Sequence, residues 1–231
     1  TKLCKINEKE YEVIIDEVVN SITKMKLSNQ GRKMLKLYEG YKAGKRTNIE
    51  KGFKFNGKQR NYNEGDLIGE DEADELLIHV LKKFEDKVND LMIKNKFILN
   101  KNQFDAFVLH FYNLGENLDS NAIKYIIKYG VPVKPSNTFS MYINEEKIIN
   151  NEFSLDVRDN INTKNHIGYF EGNILDGVGT GGNSSLGLAR RRVDELELFY
   201  YADYTIKYRD CKKIQALLEC YNCYKDFKCK D

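Results

Sequence analysis

The strongest constraint on this chain is a set of apolar stripes at three- and four-residue spacing. Leu76, Leu77, Val80, Phe84, Val88 and Leu91 form one, and Phe104, Phe107, Val108, Phe111 and Tyr112 form another. Such spacing collects side chains on one face of an α-helix, whereas a strand would alternate them. Tyr11, Ile14, Ile15, Val18, Val19 and Ile22 predict a further helix within residues 7–26. Each apolar face needs a partner, so the chain should fold around packed helices.

Local signals set several boundaries. Ser28 is a predicted N-cap, with Met34, Leu35 and Tyr38 on the buried side of a helix that stops at Glu39-Gly40. Glu70, Asp71 and Glu72 complement the dipole of a helix's first turn. Asn100 and Gln103 fit a capping box for the phenylalanine-rich helix, which Gly115 closes. Ile123, Ile126 and Ile127 suggest a short helix, and helical periodicity returns from Leu188 to about Cys220. Between Gly40 and Gly69 glycines recur, and Phe53 and Phe55 alternate into Asn56-Gly57, a hairpin signal. Residues 130–186 hold Pro132, Pro135 and the Gly177–Gly182 run. That stretch reads as an irregular insert with strands of its own or a functional excursion. The class is α+β, mainly helical.

Composition narrows the partners. A net charge of +2 is too small to argue for nucleic acid, but suits a mildly anionic target such as a cell wall. No apolar run approaches the roughly 18 residues of a bilayer span. Cys4 stands alone, while Cys211, Cys220, Cys223 and Cys229 crowd the C-terminal end. They allow two disulfides, free thiols, or a zinc site on Cys220 and Cys223 that lacks a flanking His. His79 and His110 sit among apolar residues, as core or interface histidines do, and His166 has no visible partner. The Gly177–Gly182 run lacks the Lys-Ser/Thr of a phosphate loop. No cofactor or catalytic metal is expected.

Glu39, ending a helix before a small β-lobe, suits cleavage of a glycosidic bond. That reaction needs a carboxylic acid to protonate the leaving oxygen and a second carboxylate to attack, to stabilise the cation or to activate water. Aromatic burial helps a Glu keep its proton, and Tyr38 and Tyr41 flank this one. Physics alone does not single it out among 35 acidic residues. Four ordered segments do. LSNQGRKMLKLYEG (27–40), EDEADELLIHVLKKFEDKVNDL (70–91), LNKNQFDAFVLHFYNLG (99–115) and GLARRRVDELELF (187–199) resemble successive helices of phage-type lysozymes, glycoside hydrolase family 24.

The resemblance implies a bilobal fold, with a small β-hairpin lobe and a larger helical lobe. It implies hydrolysis of the β-1,4 bond between N-acetylmuramic acid and N-acetylglucosamine in peptidoglycan, by a phage- or bacterium-encoded protein secreted or delivered to the cell wall or periplasm. Glu39 carries over as general acid. Arg191 carries over as the partner that holds it, since a guanidinium fork can orient a carboxylate. For two of Arg190, Arg191 and Arg192 the expectation is a solvated helix face. The sequence departs from the family where it normally has an Asp and a Thr, at Asn48 and Lys54. The second carboxylate could be Asp66 or Glu64 beyond the hairpin, or Glu50 on its first strand. Asp66, just before the next helix at the hinge, is favoured, with Thr47 as a water-positioning hydroxyl. The alternative is an inactive module that binds cell wall or a protein. The expected organisation is an N-terminal helical extension (1–27), a lysozyme-like domain (28–209) with the insert at 130–186, and a cysteine-bearing tail (210–231). The insert or the terminal extensions could dock a protein partner.

Overall fold

A computed structural model describes residues 24–39, 53–60, 68–115, 121–144, 166–176, 186–221, 223 and 229. Its elements are α1 (Asn29–Glu39), β1 (Lys54–Phe55), β2 (Lys58–Gln59), α2 (Glu70–Asn95), α3 (Lys101–Leu114), α4 (Asn121–Tyr129), α5 (Asn137–Ile143), α6 (Ile167–Leu175), α7 (Leu186–Tyr201) and α8 (Cys211–Cys220). The expected mainly helical α+β class with one small hairpin is what the chain adopts.

The helix starts follow their caps. Ser28 Oγ accepts from the Gly31 amide at 2.9 Å and donates to Asp105 on α3. A Cβ on Gly31 would lie 2.6 Å from Leu27 Cδ1 and 3.3 Å from Asp105 Cγ, so a larger residue here would require the buried Leu27 side chain to shift. Asn100 and Gln103 form the full capping box of α3. The α2 core face runs through Leu76, Leu81, Phe84, Val88 and Met92, one residue on from the expected stripe at two points. Asn56 (φ 50°) and Gly57 (φ 75°) both take the positive φ that a tight hairpin turn requires. Phe53 is buried against His79 on α2, ring centroids 5.5 Å apart. Arg60 reaches Glu72 through two nitrogens, so the hairpin is fastened to the start of α2.

α7 is the centre of the helical body. It packs chiefly on α3 and also touches α6 and α8. Every residue from 191 to 199 is buried. Phe107, Phe111, Phe139, Phe170 and Phe199 fill the space around it. The described part of 130–186 contains α5 and α6 and no strand, and Phe139 and Phe170 are fully buried. The rest of that stretch, 145–165 and 177–185, lies outside the described residues. One expectation changes here. The periodicity after Leu188 is broken by an extended link, residues 202–210.

Residues 24–26 are not helical, and the rest of the expected 7–26 helix lies outside the described residues. Met25 and Leu27 amides donate to Asn89 and Glu85 of α2, each at 2.8 Å. Cys211 and Cys229 form a disulfide, which takes both out of any zinc set. Cys220 and Cys223 are buried. Among the described residues no cluster could hold a metal ion, and no helix is long and apolar enough to cross a membrane.

Candidate active site

The last turn of α1 is fixed from two sides. Lys36 pairs with Asp74 on α2. Tyr38 donates to Asp194 Oδ2 on α7 at 2.9 Å, and burial, then the nearby Asp194 and Glu195, holds its hydroxyl in the protonated form. Glu39 follows, with Arg191 Nη1 donating to its Oε1 at 3.0 Å. The Glu39 side chain is 43% exposed while that of Arg191 is 6% exposed. One carboxylate oxygen is thus held from the buried side, and no described residue donates to the other.

Arg191 is held on every edge. Its Nε donates to Glu195 Oε1 at 3.2 Å, and its Nη2 to the Leu109 carbonyl at 3.2 Å. Its guanidinium lies over the Tyr38 ring, 4.7 Å from the centroid. So Tyr38 supports the arginine; Tyr41 lies outside the described residues. Glu195 is in turn met at Oε2 by Arg192 Nη1 at 3.0 Å and His110 Nδ1 at 2.8 Å. Burial pushes the Glu195 carboxyl up, but Arg192, His110 and Arg191 together hold it below the usual range. Burial and the Arg192 charge keep His110 low despite Glu195. Arg192 Nη1 also lies 2.6 Å from His110 Nδ1. As hydrogen bonds at one nitrogen the two contacts exclude each other: Nδ1–H donates to Glu195, or a bare Nδ1 accepts from Arg192.

Two sequence readings are corrected by this geometry. None of the three arginines lies on a solvated face: Arg191 and Arg192 are buried, and half-buried Arg190 donates to the Arg209 carbonyl at 2.7 Å. Asp194 and Glu197 take Arg209 and Lys207 from the following link, so the link supplies the counter-ions of these two buried carboxylates. His110 is a core histidine, as expected, and its Nδ1 faces Glu195 and Arg192. His166 has a role as well, capping α6 by accepting from the Gly168 amide at 3.0 Å. The contributions of Glu195, His110 and Asp194 were missed. The available signal was spacing, since Arg191 and Arg192 stand four and three residues before Glu195.

Thr47, Glu50, Glu64 and Asp66 lie outside the described residues, as do Asn48 and the Gly177–Gly182 run. Lys54 is exposed on β1. A groove of about 460 Å³ runs between β1 and α2, lined by Phe53, Lys54, Glu75, Ile78 and His79. Glu39 does not line it.

The family model for phage lysozyme matches residues 38–149. Over that stretch the chain is similar to the phage lysozyme family. The match opens beside Glu39 and takes in the hairpin and α2 to α5, just under half of the chain. Arg191 and the rest of α7 lie beyond it. No curated protein and no solved structure matched the chain. The similarity is to peptidoglycan hydrolases, proteins that act on the cell wall.

Proposed function

We propose that the protein is an N-acetylmuramidase, cutting the β-1,4 bond between N-acetylmuramic acid and N-acetylglucosamine, with Glu39 as general acid. The supporting observation is the Glu39–Arg191 contact of 3.0 Å at the end of α1. Arg191 holds Oε1, which leaves the opposite, solvent-facing edge of the carboxyl to deliver a proton to the glycosidic oxygen. The developing sugar cation needs a second carboxylate. Asp66 is the proposed residue, with Glu64 and Glu50 as the other candidates and Thr47 as the hydroxyl that positions water. The protein would act at the cell wall after secretion or phage delivery, with glycan strands as its partner.

A second reading is an inactive family member that binds cell wall or a protein, through the 130–186 stretch or the terminal extensions. It is favoured by Lys54, which stands exposed where the family has its Thr. Loss of turbidity of purified peptidoglycan separates the two. Wild type should clear it, Glu39→Gln should not, and Asp66→Asn should fall by at least about a hundredfold if it supplies the second carboxylate. No clearing by wild type between about pH 5 and 8 would exclude the muramidase reading. Clearing that survives Glu39→Gln would exclude the site.

A further inference from the structure

We propose that Glu195 is a positioning residue of this site: it aims the Arg191 guanidinium at Glu39. The inference rests on Glu39 being the acid, but the contact it explains exists whatever the reaction. A guanidinium is planar, so fixing two of its nitrogens sets the direction of the third. Glu195 fixes Nε at 3.2 Å and the Leu109 carbonyl fixes Nη2 at 3.2 Å, which leaves Nη1 directed to Glu39 at 3.0 Å. Tyr38 closes the face of the plane at 4.7 Å.

The order of cause runs from the interior outward. Glu195 has a side chain 1% exposed and is itself held at Oε2 by Arg192 and His110. Glu39 is the exposed member of the pair. Arg191 therefore keeps two buried anchors if Glu39 is altered, while Glu39 loses its donor if those anchors fail. The cavity that touches both Glu195 and His110 is about 10 Å³ and otherwise lined by apolar groups such as Phe107, Phe170 and Phe199.

The test has a kinetic and a spectroscopic arm. Peptidoglycan clearing is compared for wild type, Glu195→Ala, Arg191→Ala and the double variant. The expected result is a roughly ten- to hundredfold fall in kcat with KM nearly unchanged for Glu195→Ala, and no further fall in the double variant. A purely structural Glu195 would lower Tm and leave kcat of the folded fraction alone, or add to the Arg191 effect. Either result would overturn the proposal. The second arm follows the Arg191 Nε–H resonance, assigned by its loss in Arg191→Lys. It should be protected from exchange in wild type and Glu39→Gln, and unprotected in Glu195→Ala. Protection that persists without Glu195 would overturn the proposal even if wild type cleaves nothing, so its failure is distinct from that of the muramidase reading. If the alanine variant does not fold, Glu195→Asp serves instead, since it keeps the charge and withdraws it from Nε by one methylene.

Discussion

Two glutamates lie out of solvent at two places in the helical body, and they behave in opposite ways. Glu195 on α7 faces Arg191, Arg192 and His110, and its carboxyl is held low although burial pushes it up. Glu171 on α6 is as fully buried but meets neutral donors: the Ser136 amide at 2.7 Å, the Ser136 hydroxyl at 2.5 Å and the Tyr221 hydroxyl at 2.5 Å. Its pKa is raised, because burial outweighs those hydrogen bonds. Burial alone favours the neutral acid, and adjacent guanidinium groups reverse it. The first arrangement supports the Glu39 site. The second joins the start of α5, α6 and the chain after α8 into one polar latch.

The largest difference should appear when each charge is removed in turn. Glu195→Gln leaves two buried guanidinium groups facing a neutral amide, and should cost about 3–5 kcal/mol. Glu171→Gln leaves the same neutral donors an oxygen to use, and should cost within about 1 kcal/mol near neutral pH. Urea unfolding midpoints measure both. Equal costs would mean that the two carboxyls share one state, and the contrast drawn here would fail.

The disulfide tests whether the two regions loosen separately. Cys211 and Cys229 are 18 residues apart and close a loop that carries Tyr221 onto Glu171. Cys211→Ser should cost about 3 kcal/mol by the loop-entropy account. Amide exchange should quicken first in α6 and α8, while α7 stays protected. If α7 exchanged in step with α6 and α8, the Glu171 latch and the Glu195 cluster would be one cooperative unit.

The contrast also explains what was legible in the sequence. The Ser28 cap, the Asn100–Gln103 box and the Asn56-Gly57 turn are short-range chemistry, and the residues that make them lie within a few positions of each other. The stripes of α2 and α3 gave the helices for the same reason. The pairing of Glu39 with Arg191, 152 residues apart, came from family resemblance and not from any local pattern. The arginine run was misread because charge on a helix normally marks solvent, and nothing local shows that α7 is enclosed on all sides. The Glu171 latch was invisible: Ser136 and Tyr221 stand 35 and 50 residues from it. Within 130–186, α5 and α6 escaped notice because they are short, at seven and nine residues, and a short helix shows too few turns to reveal a period.

Stability against pH should carry both signs. The folded state holds the Glu171 proton more tightly than the unfolded chain, so its contribution is present at low pH and is lost as pH rises above the ordinary value of 4.5. His110 is lowered, so its contribution is lost as pH falls below the ordinary 6.5, and that of Glu195 is lost as pH falls below 4.5. Each group can bend the curve by at most about 1.4 kcal/mol per pH unit. Unfolding free energy measured across this range should lose its decline with rising pH in Glu171→Gln and keep its decline with acid. A variant that flattened both limbs would show that the two carboxyls titrate together.

The smallest effect is the most selective. Tyr221→Phe removes one donor from Glu171 and a 3.0 Å contact to the Ser136 hydroxyl, without changing any charge. The loss should be about 1 kcal/mol, but it should not be constant. The Tyr221 hydroxyl stabilises the charged form of Glu171 more than the neutral one, so deleting it raises the carboxyl further. The cost should therefore be least in acid, where Glu171 keeps its proton in either protein, and should grow as pH rises. A flat cost would mean that Tyr221 serves Ser136 and packing alone. A cost that grew toward acid would mean that the Tyr221 hydroxyl favours the protonated form of Glu171, the reverse of what a donor to the carboxylate does.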